Sequence, residues 1–161
     1  MPLAPLCRMM CLAALAVVAS ALPAGSQEPP TAEEDATIAK LHARTVQFLE
    51  GVSLGRVESA LAELVSGGSL AKQDEAIRKL TEQTRELESK YGKYRAFERI
   101  DARRIGEDLV LAKYLYKCEN YPVVWYFTYY RDFKRSDAAP ESDNWILIAL
   151  RFDTDLELLG F

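Results

Sequence analysis

The sequence predicts an α+β fold, with three N-terminal helices packed on a strongly bent, four-stranded antiparallel meander sheet. Three observations predict it. Apolar residues recur at helical spacing through three consecutive segments, which end at Gly51, at Gly67-Gly68 and at Gly92. From Lys93 onward the period shortens to two. The stretch YPVVWYFTYYRDF, Tyr121 to Phe133, holds seven aromatics in thirteen residues with β-branched residues between them, a composition that suits a pleated surface and not a helix. Helices followed by strands, joined by short connections, make neighbours in sequence neighbours in space.

The first residues of the 161 are not globular. After MPLAPLCR, an uncharged apolar run from Met9 to Leu22 leads into small residues at Ala19, Ala21, Ala24 and Ser26. A short basic start, an apolar middle and a small-residue exit predict a secretory signal over 1–26. The run is shorter than the roughly 18 to 20 residues a membrane span needs, so no span is expected after cleavage. Export places the protein in the periplasm or outside the cell. Cys7 and Cys11 both precede the end of the apolar run, so neither stands where a lipid-attachment cysteine would. Cleavage removes one basic residue, Arg8, and no acidic one, moving the net charge from −4 to −5. That mildly acidic balance argues against a nucleic-acid partner, which would need a clustered basic footprint. Cys118 is left alone, so the mature chain can form no internal disulfide. About 135 residues remain, enough for one core that buries roughly two-thirds of the unfolded surface.

Residues 27–32, QEPPTA, read as an extended linker before a single domain at 33–161. Thr31 and Glu34 have the spacing of a capping box. Ile38, Leu41, Thr45, Phe48, Leu49 and Val52 then form the stripe of a first helix from about Ala32 to Glu50, stopped at Gly51. A second helix starts near Ser53 and presents Leu54, Val57, Leu61, Leu64 and Val65. The third carries Leu70, Ile77, Leu80, Thr84, Leu87 and Tyr91 on one side, with the charges from Lys72 to Lys90 forming a solvated face. Pairs such as Glu75–Lys79 and Glu86–Lys90 stand one turn apart on that face. Tyr94 to Arg103 alternates imperfectly, which predicts a strand with a bulge or bend. Leu109 to Cys118 alternates more clearly, and Glu119-Asn120 is short enough for a hairpin turn into the aromatic strand. There Val123, Trp125, Phe127 and Tyr129 point one way, and Val124, Tyr126, Thr128 and Tyr130 the other. Lys134 to Asn144 is a polar loop, Trp145 to Asp153 the last strand, and LELLGF an apolar tail.

From about Ala36 to Leu159 this order of elements resembles the nuclear transport factor 2-like superfamily, the cystatin-like α+β cone. The resemblance is carried by the helix order, by the YGKY step from the third helix into the first strand, and by CENYPVVWYFTYY and NWILIALRFDTDL. The last two are similar to the final strands of small exported bacterial members. The resemblance implies a bent sheet whose concave face and helices enclose a pocket, and dimerisation through the sheet. The superfamily holds isomerases, dehydratases and cyclases as well as non-catalytic binding domains, so fold does not choose among them.

Candidate pocket-lining residues are Trp125, Phe127, Tyr129, Trp145, Tyr94, Tyr114 and His42. The aromatics suit either an apolar or aromatic ligand or a filled core. His42, the one histidine, stands at the edge of the first helix's stripe. An isomerase of this fold would need a carboxylate base and a tyrosine; Glu98 and Asp101 are the acid candidates, and Tyr116 and Tyr126 further tyrosines, none on a family motif. One histidine excludes a paired-histidine dehydratase and, with one mature cysteine, gives no metal-ligand spacing. No glycine-rich phosphate loop and no nucleophile elbow is present, so no cofactor is expected. Cys118 reads as a small apolar filler beside the reading as a nucleophile. Tyr126 and Tyr130 suit a homodimer interface on the opposite sheet face. The leading expectation is a non-catalytic exported domain that binds a small molecule or a protein partner. The alternatives are a small pocket enzyme and a structural component of an envelope complex.

Overall fold

The computed structural model describes residues 32–133 and 144–159. Helix α1 runs from Ala32 to Ser53 and α2 from Val57 to Val65. A 3-10 turn at Leu70–Lys72 leads into α3, Asp74–Arg85, and α4, Leu87–Tyr91. Strands β1 (Tyr94–Ile105), β2 (Leu109–Cys118), β3 (Val123–Arg131) and β4 (Trp145–Asp153) form one antiparallel sheet in the order β1-β2-β3-β4. The architecture is the expected one: α+β, with helices first and then a four-stranded meander. The expected signal segment, residues 27–31 of the expected linker, with Thr31 of the capping box, and residues 134–143 of the polar loop lie outside the described residues, while Ala32 and Glu34 belong to α1. No described helix is long and apolar enough to cross a membrane.

Several boundaries differ from the sequence expectation. The first helix does not stop at Gly51 but continues to Ser53, because Gly51 serves a contact and not a terminus. A Cβ built there would stand 2.5 Å from the Ala60 Cβ, so the missing side chain lets α2 pack directly against α1. The turn comes at Leu54-Gly55, where Gly55 takes φ +72°, and Leu54 is 67% exposed and not part of the apolar stripe. The third helix is interrupted twice. Leu70–Lys72 is a tighter turn, and the helical register breaks at Glu86, after which Leu87 points into the core. Gly92 closes α4 at φ +85°, a left-handed conformation that glycine adopts without strain.

The sheet is bent where its pairing slips. Register shifts fall between Tyr94 and Ala96, between Arg99 and Asp101, and between Thr128 and Tyr129. Extra residues at such points increase the local twist. The effect shows across the concave side: the Arg104 guanidinium on edge strand β1 lies 5.3 Å from the centroid of the Trp145 ring on the opposite edge strand, β4. The core sits between this concave face and the helices. Phe48 of α1 meets Trp125 and Phe127 edge-on at 5.3 and 5.9 Å, and Leu49, Leu61 and Leu64 fill the layer behind it.

Candidate binding site

Alternation along the strands sorts the predicted residues onto two faces. Tyr114, Trp125, Phe127 and Tyr129 are fully buried on the concave side, and Trp145 is nearly so. Glu98 pairs in register with Leu115, and Asp101 with Lys113, which places both acids on the outer face, away from those tyrosines. There Glu98 forms an ion pair with Lys117 at 2.9 Å, and Asp101 stands 3.7 Å from Arg103. The fold therefore does not bring the two candidate acids together with Tyr114 or Tyr129.

What it does bring together is His42, Thr45, Tyr114 and Tyr129, although 72 residues separate His42 from Tyr114. Thr45 Oγ1 donates its one hydrogen to the Leu41 carbonyl at 2.9 Å, so the Tyr129 hydroxyl, 2.7 Å away, must donate to Thr45. Arg44 holds the same helix to the sheet, donating to the carbonyls of Leu64 (2.6 Å) and Trp145 (2.9 Å). His42 Nδ1 lies 2.6 Å from the Tyr114 hydroxyl, and the two rings are stacked within 8° of parallel. Burial pushes the Tyr114 phenol up to about 12, against the opposing pull of Arg99 and a hydrogen bond with Thr45. Burial likewise pushes Tyr129 up to about 12. Both phenols thus stay protonated as donors at neutral pH. His42 is held below its ordinary 6.5 by burial and then by Arg99, which pairs in register with Tyr114.

An open cavity lies elsewhere, at the end of the layer where α1 turns into α2. Its volume is about 230 Å³. Val52, Val57 and Leu87 supply apolar wall, and Tyr94 and Tyr116, with centroids 4.8 Å apart, supply an aromatic one. Arg85, Glu88 and Cys118 border it as well. Of the seven predicted pocket residues, Tyr94 alone borders this cavity. Glu88 was not legible as a site residue, because it belongs to a charge run that reads as solvated surface. Burial and then the charge of Glu88 push the Cys118 thiol up, which keeps it a thiol and not a thiolate nucleophile at neutral pH.

No family model, no curated protein and no solved structure matches this chain. Its chemistry rests on its own residues.

Proposed function

We propose that this chain is an exported, non-catalytic binding domain that takes up a small, largely apolar molecule and acts as a homodimer through the outer face of its sheet. The observation that carries the reading is the cavity between the α1–α2 turn and the start of β1, with its walls of Val52, Val57, Leu87, Tyr94 and Tyr116. Ser53, Thr84, Arg85, Glu88 and Cys118 line it as well, and a concave site that joins apolar and aromatic side chains to polar ones can hold and orient a small molecule. Export rests on the apolar run from Met9 to Leu22 and its small-residue exit, and points to the periplasm or the extracellular space. The dimer reading rests on the outer face, where Tyr130 is 38% exposed and pairs in register with Ile146. The bent sheet is also what the resemblance to the nuclear transport factor 2-like superfamily leads one to expect.

Native mass spectrometry on protein exported from a bacterial host, without refolding, tests the three parts together. The expected result is a chain lacking its first 21 to 26 residues or so, at twice the monomer mass, with a retained small molecule. A bare monomer that keeps its N-terminus would overturn the reading.

A further inference from the structure

The cavity at the α1–α2 turn has polar groups that its own fold leaves unused, and these say what it would hold. Ser53 donates to the Glu50 carbonyl, Thr84 to the Leu80 carbonyl, and Arg85 is paired with Glu58. These three are committed. Glu88 has no ion-pair partner among the described residues, and Tyr116, only 3% exposed, has no hydrogen-bond partner for its hydroxyl among them. The Tyr116 hydroxyl is not sealed off from the cavity, so a ligand atom that enters there can meet it. A carboxylate at the border, a hydroxyl oxygen within and two tyrosine rings form a set that accepts hydrogen bonds and favours positive charge.

We propose that this cavity binds a small organic cation: a primary amine on a compact apolar body of about one ring. This rests on the binding-domain reading above and names the ligand class for it. The volume of about 230 Å³ lies below the roughly 300 Å³ at which drug-sized sites begin, which limits the body to about one ring. The ammonium sits against the Tyr94 and Tyr116 rings, which lie 38° apart, and donates to the Tyr116 hydroxyl and the Glu88 carboxylate. Val52, Val57 and Leu87 take the apolar body. The field in the cavity has the matching sign. After burial, the thiol of Cys118 is pushed up by Glu88 and the phenol of Tyr94 by Glu50, while the phenol of Tyr116 is pushed up by Cys118 and Tyr94 and least by Glu88. Arg85 does not reverse that field, because its charge is balanced by Glu58. The same negative field rejects carboxylates and phosphates.

The test is an NMR titration of the full chain with three probes of one shape: benzylamine, benzyl alcohol and benzoate. Benzylamine is expected to shift the amide resonances of Gly92, Tyr94 and Cys118 and to bind about tenfold more tightly than benzyl alcohol, while benzoate leaves them unmoved. Glu88→Gln should weaken benzylamine about two- to fivefold and leave benzyl alcohol unchanged. Tyr116→Phe should weaken it several-fold. Neither substitution threatens the fold, since Glu88 is exposed and Tyr116→Phe removes one unpartnered oxygen. If benzyl alcohol binds at these residues as tightly as benzylamine, or if Glu88→Gln has no effect, the amine assignment falls while the pocket-binding reading stands. If no probe moves these resonances, both fall.

Discussion

At the scale of single residues, the molecule is tied together by hydroxyl groups that join α1 to the sheet. Thr45 is the junction, taking a hydrogen from Tyr129 and giving its own to Leu41. Thr45→Val keeps the shape and strands the fully buried Tyr129 hydroxyl, which should cost about 1–3 kcal/mol. Adding Tyr129→Phe removes the stranded group, so the double variant should be less destabilised than the sum of the single ones. Urea denaturation of the four proteins measures this coupling, and strict additivity would contradict it. His42 contributes a pH dependence of definite sign. Its pKa is lower folded than unfolded, so the unfolded chain binds more protons between the two values. Stability is complete above the unfolded value of 6.5 and is lost as pH falls through 6.5 toward the folded value. The midpoint urea concentration should therefore drop over that window, and His42→Asn should flatten the drop. The contact of His42 with Tyr114 was not legible in the sequence. Periodicity places His42 at the edge of a stripe and Tyr114 on a strand, but which ring meets which depends on how far α1 slides along the sheet, and no local pattern encodes that.

At the scale of elements, the strands were the most legible part. Trp125, Phe127 and Tyr129 fall on the buried face because alternation leaves no other choice once one face is covered. The imperfect alternation near Tyr94 corresponds to real slips in the β1–β2 pairing. The helix ends were less legible, because a glycine has two uses that look alike in sequence. Gly51 reads as a stop, yet its backbone stays helical and its bare Cα admits Ala60. Gly51→Ala separates the two uses. At an ordinary helical position the change would stabilise by several tenths of a kcal/mol. Here the added methyl meets Ala60, and the cost should be about 1–3 kcal/mol, read as a lowered thermal midpoint. The break at Glu86 was hidden for a related reason. The stripe Leu80, Thr84, Leu87, Tyr91 continues across it, so the apolar pattern carries no mark of the change in register. Glu88 follows that break and borders the cavity, which is why a residue of a solvated charge run became part of the candidate site.

At the scale of the whole molecule, the sheet has one side covered by helices and one that carries Tyr126 and Tyr130. Tyr126 is flanked by the Lys113 ammonium at 5.8 Å and the Arg151 guanidinium at 4.3 Å, a cross-strand row on the outer face. If two copies meet on this face, Tyr130→Lys places repelling charges across the join. The exposed position should leave the monomer's stability within about 0.5 kcal/mol, while the dimer mass in size-exclusion light scattering falls to that of a monomer. An unchanged mass would put the contact elsewhere. The order of the layers along the chain has a consequence for how the protein comes into being. Synthesis delivers the four described α-helices before β1, so Leu41, Phe48, Leu61 and Leu64 emerge with no sheet to cover them. Most of what covers them, Trp125 and Phe127 above all, lies in the second half of the chain. Each strand then finds its partner in the one just made, so assembly is local and quick once the material exists. Until then the nascent chain is a sticky half-product, and a ribosome that stalls before Val123 leaves behind a client for chaperones and proteases.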